Sequence, residues 1–283
     1  METGAISRYN CDMPELPEVE TTVRALREPL IGRTIIAVHN DWPRHVGMPG
    51  LPELQTRIRG QRIERIDRRG KYLVFTLNSG ETLIIHLKMT GHLSVVDQDA
   101  PPDPYAHTIF VLDQGQELRF RDPRKFGRVY LARDRYEILG SLGPEPLEPA
   151  FTVEVLCRRL KGRKRALKPL LLDQGFIAGV GNIYADEALY YAGLHPQRRA
   201  DSLSEADVTA LHASIRQVLQ TGIEREGASI DRYVKPDGSK GDMQNAVAVF
   251  QRTGQLCYGC ETGIVQRIVL GGRSTHFCPI CQT

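Results

Sequence analysis

The chain has 283 residues, 41% of them hydrophobic and 25% charged, with a net charge of +3. This is long enough for two cored domains, its composition excludes a disordered chain, and no apolar run nears the ~18 residues of a helical membrane span. Charge distribution says more than the total: Arg158, Arg159, Lys161, Arg163, Lys164, Arg165 and Lys168 form one basic cluster, Arg65, Arg68, Arg69 and Lys71 a second, and Arg119, Arg121, Arg124, Lys125 and Arg128 a third. Three such clusters point to a polyanionic partner.

The first twelve residues, METGAISRYNCD, have neither an apolar period nor the charged-then-apolar order of a signal peptide. They read as a leader that is not part of the working protein, and the protein reads as cytoplasmic. Met13-Pro14-Glu15-Leu16-Pro17-Glu18 follows. A Met before Pro suggests a start whose Met is trimmed, which would leave Pro14 as a free secondary amine. Such amines titrate near ~7.7–8 and can attack an electrophilic carbon to give an iminium. Glu15 would supply a carboxyl for proton transfer. The same prolines also stiffen the entry to a helix, and this segment alone weighs the two readings evenly.

Residues 17–28 predict an amphipathic helix with Val19, Val23 and Leu26 on its buried face, Glu18, Thr22 and Arg27 away from it, and Pro29 and Gly32 closing it. Short strands follow at about 34–39, 61–67, 72–78, 82–87, 92–96, 107–112, 117–121 and 128–132, bounded by Gly, Asn, Asp and Pro. So many strands after one helix suggest a β-sandwich or flattened barrel, over 13–139. The Gly- and Pro-rich stretch 140–150 reads as a linker. Helices are expected at 153–161, 165–174 and 183–191, with Cys157 buried on the first. Another follows Ser202-Leu203-Ser204-Glu205, read as a capping box, and carries a stripe from Val208 to Ile223.

Between them, Gly179-Val180-Gly181-Asn182 enters a helix N-terminus, which lets backbone N–H groups approach a phosphate; an ordinary tight connection reads the same way. Residues 151–246 form the helical lobe, with a polar loop at 231–246 expected to be mobile. The terminal unit, 247–283, holds Cys257-x2-Cys260 and Cys278-x2-Cys281, separated by seventeen residues. This is the spacing of a four-thiolate structural zinc site. Gly271-Gly272 predicts a two-residue hairpin turn with Arg273 at its tip.

PELPEVE at 14–20, RGKYL at 69–73, IHLKMTG at 85–91, DPRKFG at 122–127, LGPEPL at 142–147, GVGNIYADE at 179–187 and the terminal GGRSTHFCPxC together resemble the formamidopyrimidine-DNA glycosylases. The resemblance runs from Met13 to the end and implies an α+β protein: an N-terminal β-sandwich lobe with one leading helix, a helix–two-turn–helix lobe and a zinc-finger hairpin. It implies a bifunctional glycosylase and abasic-site lyase of bacterial base-excision repair that removes oxidised purines and cleaves by β,δ-elimination. Pro14 resembles the nucleophile that attacks C1′ of the damaged nucleotide, and Glu15 the acid that protonates the sugar or departing base. Lys71 matches the lysine of β-elimination, and Arg273 the arginine that grips phosphates and assists δ-elimination. Met89, Arg124 and Phe126 resemble the trio that fills the gap left by a flipped base. Asn182 matches a phosphate-binding asparagine, and Arg163 stands where the family often carries a DNA-binding lysine. Core packing remains open for Met89, as does an edge-strand charge for Lys71.

The chain departs from the family pattern twice. Thirteen residues precede the proline, and Tyr105-Ala106-His107 stands in place of His-x-His, leaving Tyr105 to donate its hydroxyl to a phosphate. Two alternatives stay open: an endonuclease VIII-like enzyme for oxidised pyrimidines, and a non-catalytic binder of damaged DNA should the leader be retained. The expected partner is double-stranded DNA bearing an oxidised base, bound by a monomer with one zinc ion.

Overall fold

Helix α1 (Leu16–Leu30) stands between two hydrophobic cores in the computed structural model, which describes residues 13–230 and 233–283. The leader expected at 1–12 and the start of the 231–246 loop, Asp231 and Arg232, lie outside the described residues. Val19, Val23, Leu26 and Leu30 pack into the first core against the strands. Leu16 belongs to the second, helical core. Burying each such side chain contributes roughly 1.5–3 kcal/mol. This double packing corrects the sequence expectation for Glu18 and Thr22, which are buried, whereas Arg27 is exposed as expected. A one-sided helical wheel cannot show burial on two sides. Pro29 lies inside the last turn, and the helix continues to Leu30.

The strands are β1 (Thr34–Asn40), β2 (Val46–Met48), β3 (Gln61–Arg69), β4 (Tyr72–Leu77), β5 (Thr82–His86), β6 (His92–Asp97), β7 (Ala106–Leu112), β8 (Gln116–Arg121) and β9 (Arg128–Ala132). They pair in the order β2-β9-β5-β4-β3-β1-β7-β8-β6. The joint between β3 and β1 is narrow, with Thr34 opposite Arg62 and Ile35 opposite Gln61. On either side of it lie two halves whose inward residues, among them Phe75, Ile85, Phe110 and Phe120, share one core. The expected sandwich is present. Sequence periodicity passed over β2 and α2 (Leu51–Ile58), where only Leu54 and Ile58 are buried and a Pro begins the helix.

Beyond α3 (Tyr136–Leu139), the helical lobe comprises α4 (Val153–Leu160), α5 (Leu167–Leu171), α6 (Asn182–Tyr191) and α7 (Glu205–Glu224). Helix α7 starts at a capping box between Ser204 and Asp207, two residues past the expected Ser202–Glu205 box, because Ala200–Ser202 forms a separate 3-10 turn. Helix α5 is half the expected length, because Leu172 caps it before the Asp173-Gln174-Gly175 turn. Cys157 is exposed rather than buried: Leu156 and Leu160 turn α4 toward the core and Cys157 points away. Strands β10 (Gln266–Leu270) and β11 (Arg273–Phe277) form the terminal hairpin. Gly271 and Gly272 take φ of 58° and 74°, as a two-residue hairpin turn requires.

Candidate active site and nucleic-acid interface

Glu15, Lys71, Asn182 and Arg273 come from four separate elements and line one cavity of about 110 Å³, together with Met13, Leu172, Gln174 and Gly181. Each is placed by a distinct local device. Glu15 precedes α1, and its backbone N–H donates to Glu18 Oε2 at 2.8 Å. Its own Oε1 accepts from the backbone N–H of Ile183 at 2.9 Å, in the first turn of α6. A helix N-terminus favours a negative charge there. The Gly-rich loop makes this contact possible. A Cβ on Gly181 would stand 2.3 Å from the Glu15 carboxyl carbon, and one on Gly179 would stand 2.6 Å from Leu16. The glycines that suggested phosphate approach therefore admit the start of α1.

Lys71 occupies the turn between β3 and β4, where Arg69 pairs with Tyr72. It is buried, not an edge-strand charge. Glu145 clamps this turn, accepting from Gly70 N at 2.5 Å, Arg68 Nη1 at 2.6 Å and Arg69 Nη1 at 2.8 Å. The second basic cluster thus commits two of its charges to an internal acid. Lys168 leaves the first cluster in the same way. It is fully buried, with Nζ 2.7 Å from Asp186 Oδ1 and donating to Ser274 O at 2.6 Å. Asp186 Oδ2 also accepts from His276 N at 2.9 Å. These bonds dock the terminal hairpin on α5 and α6, which brings Arg273 to Lys71.

Pro14 is buried and lines a second, narrow cavity with Met89, His92, Tyr233 and Val234, not the one that its chain neighbours Met13 and Glu15 line. Tyr233 Oη donates to Glu18 O at 3.3 Å, and His92 Nε2 lies 3.0 Å from Lys235 O. Burial raises the pKa of Glu18, against the donors Ala228 N, Tyr184 Oη and Glu15 N. Sequence reasoning missed Glu18, Glu145, Lys168 and Asp186 as organisers because each reads as an ordinary surface charge.

Met89 is half-buried in the β5–β6 loop, and Arg124 and Phe126 are exposed in the β8–β9 loop. The Arg124 guanidinium lies over the Phe126 ring, 4.8 Å from its centroid. Phe126 is 45% exposed, which rules out core packing. Asp122 ties the two loops together, bonding Thr90 Oγ1 on one side and accepting from Arg124 N at 3.3 Å and Gly127 N at 2.6 Å on the other. Burial pushes its carboxyl up, but His45, Thr90 and the Gly127 N–H outweigh this and hold it at about 2. Tyr105 is exposed beneath the Arg121 guanidinium and accepts from Asp122 N through its carbonyl at 2.8 Å. Arg163 is exposed beyond α4, lining neither cavity.

Cys257, Cys260, Cys278 and Cys281 place their sulfurs within 4.8 Å of one another and could hold a metal ion. Cys257–Cys281 and Cys260–Cys278 are each 3.7 Å apart. Tetrahedral zinc with bonds of ~2.3 Å needs sulfur separations of roughly 3.8 Å, so the set fits. Gly263 N donates to Cys260 Sγ at 3.2 Å, and Tyr190 Oη lies 3.3 Å from Cys257 Sγ.

A sandwich joined to a helix–two-turn–helix lobe and a four-cysteine hairpin, all three contributing to one basic cavity, defines a DNA glycosylase. The comparisons agree. Residues 13–129 match the formamidopyrimidine-DNA glycosylase N-terminal domain, and 142–234 its H2TH domain. Formamidopyrimidine-DNA glycosylases of Protochlamydia amoebophila and Herpetosiphon aurantiacus are 44% and 46% identical, over 95% of this chain and 99% and 100% of theirs. The MutM (Fpg) protein of Thermus thermophilus superposes with TM-score 0.86 at 44% identity, covering 95% of this chain and 98% of that one. A Lactococcus lactis Fpg mutant, in complex with Fapy-dG-containing DNA, gives 0.89 at 38%, covering 95% and 100%. The chain belongs to the formamidopyrimidine-DNA glycosylase family. It is an enzyme of DNA repair, and among its described residues no helix is long and apolar enough to cross a membrane.

Proposed function

We propose that the protein excises oxidised purines from duplex DNA and cleaves the resulting abasic site, with Pro14 as nucleophile. The observation that carries this reading is the convergence of Glu15, Lys71, Asn182 and Arg273 on a cavity next to Pro14. With a free amino terminus, the Pro14 nitrogen forms a bond to C1′ of the damaged nucleotide as the glycosidic bond breaks. The departing base keeps that bond's electron pair and takes up a proton, and Glu15 protonates the sugar or the base. Opening of the sugar leaves an iminium between Pro14 and C1′. Loss of a C2′ proton then expels the 3′ phosphate, and a second elimination expels the 5′ phosphate. Lys71 and Arg273 stabilise the phosphates during these steps.

Met89, Arg124 and Phe126 fill the gap in the duplex and contact the orphaned base. Asn182, Tyr105 and Arg163 grip the backbone. One zinc ion on the four thiolates supplies structure only, since four protein ligands leave no open position. The protein works as a cytoplasmic monomer. Borohydride trapping on a duplex carrying an oxidised guanine tests the reading. A chain beginning at Pro14 should give a covalent protein–DNA adduct and Pro14→Gly a weakened one. No adduct from the former would refute it.

A further inference from the structure

The segment Asp41–His45 lies between β1 and β2, outside every motif that carries the family resemblance, and touches the β8–β9 loop and its supports repeatedly. His45 is fully buried. Its ring stacks on Phe120, centroids 4.9 Å apart. Its Nε2 lies 3.4 Å from Asp122 Oδ2, and its Nδ1 lies 3.0 Å from Thr108 Oγ1. Thr108 Oγ1 accepts from Asn40 Nδ2 at 2.7 Å, so its own proton is available to His45 Nδ1. That leaves Nε2 as the protonated nitrogen facing Asp122. Trp42 lies under the Lys125 ammonium at 4.5 Å, and Lys125 takes φ 61° between Arg124 and Phe126. Asp41 meets His107 Nδ1 at 2.8 Å.

Two of the groups that His45 touches, Asp122 and Phe120, reach both loops. Asp122 bonds Thr90 beside Met89 and the backbone N–H groups of Arg124 and Gly127. The Phe120 ring is the floor beneath Gly91 and Gly127, where an added Cβ would stand 2.7 and 2.3 Å from it. We infer that His45 is a positioning residue that fixes the two loops relative to each other and thereby sets how the enzyme reads the base opposite a lesion. This inference rests on the reading of Met89, Arg124 and Phe126 as the group that enters the duplex. Removing the imidazole takes from Asp122 the 3.4 Å His45 contact, leaving it Thr90 and the Arg124 and Gly127 N–H groups, and takes from Phe120 its stacking face.

The test uses the full chain and does not need catalysis. Amide hydrogen exchange is measured at 87–91 and 122–127 in the wild type, His45→Leu and His45→Gln. Affinity is measured for duplexes with a tetrahydrofuran abasic analogue opposite each of the four bases. His45→Leu should speed exchange in both loops, leave β3–β5 protected, and compress the spread of affinities across opposite bases by about tenfold. His45→Gln, which keeps a donor for Asp122, should restore most of both. Unchanged exchange in His45→Leu overturns the inference, whatever the affinities do. Faster exchange with an unaltered affinity pattern would show that these loops do not read the opposite base, and the inference falls with that reading. A wild type that ignores the abasic analogue refutes the proposed function instead, while the exchange data still decide whether His45 holds the loops.

Discussion

Glu15 and Ile183 are 168 residues apart in sequence and joined by a 2.9 Å hydrogen bond from the Ile183 amide to the Glu15 carboxylate. This bond ties the acid of the N-terminal segment, which also closes the α1 capping box, to the start of the helix that carries Asn182. It exists because residue 181 has no side chain. Gly181→Ala should expel the carboxylate, cost about 1–3 kcal/mol of stability and lower base release at least ~100-fold, as loss of a positioned acid does. Single-turnover release on oxidised-guanine duplex, with an unfolding curve alongside, checks both. Full activity in a stable Gly181→Ala protein would remove Glu15 from the chemistry.

The thiolate cluster and Arg273 are linked through the hairpin. Structural zinc supplies apparent binding energies of about 10–16 kcal/mol in small modules. Cys260→Ser should release the metal, loosen β10–β11 and weaken DNA binding, while the sandwich stays folded on its own core. Metal content by mass spectrometry and affinity for abasic-analogue DNA are the readouts. Metal loss with unchanged affinity would separate the cluster from DNA binding.

Glu187 gives the fold a pH dependence. Burial, helped by Asp186, pushes its carboxyl up to about 7 against three donors from Ala248, Val249 and Phe250 N–H. The folded state therefore holds a proton that the unfolded state has released, so this contribution is full below pH 4.5 and is lost as pH rises through about 7. At ~1.4 kcal/mol per unit it amounts to about 3 kcal/mol. Glu187→Gln carries no such titration. Its stability relative to the wild type should rise between pH 5 and pH 8 in urea unfolding, and a constant difference over that range would contradict the assignment.

Local pattern and motif made much of this molecule legible. The alternation of β3, the apolar run of β4 and the spacing of the four cysteines each state their structure locally, and the capping box of α7 lies two residues past the one expected. What stayed hidden depends on partners distant in sequence. Lys168 reads as one more cation in a basic run until α6 brings Asp186 to it. Glu18 reads as the polar side of a helix until a second core covers that side, and Glu145 as linker until the Lys71 turn folds onto it. The family motifs gave the site residues their places. Glu18, Glu145 and Asp186 stand in those same motifs, but a motif does not say which distant partner each one holds.

The last prediction concerns the Pro14 nitrogen. With Met13 attached it is an amide whose lone pair is delocalised into the carbonyl, so it can neither titrate near neutral pH nor form an iminium. Translation from Met13 and removal of that Met would give the free secondary amine in one step. Pro14 is buried between Met13 and Glu15, which both line the cavity holding Lys71, while Pro14 itself lines the second one with Met89, so the amine would form one residue from the Lys71 cavity. A chain starting at Met13 and processed to Pro14 should therefore form a borohydride-trapped adduct with damaged DNA. The 283-residue chain, its leader confirmed intact by mass, should bind the same DNA and give none. An adduct from the intact chain would show that Pro14 is not the nucleophile. Lys71, the buried amine of the same cavity, would then be tested by Lys71→Ala, with loss of the adduct assigning the attack to it.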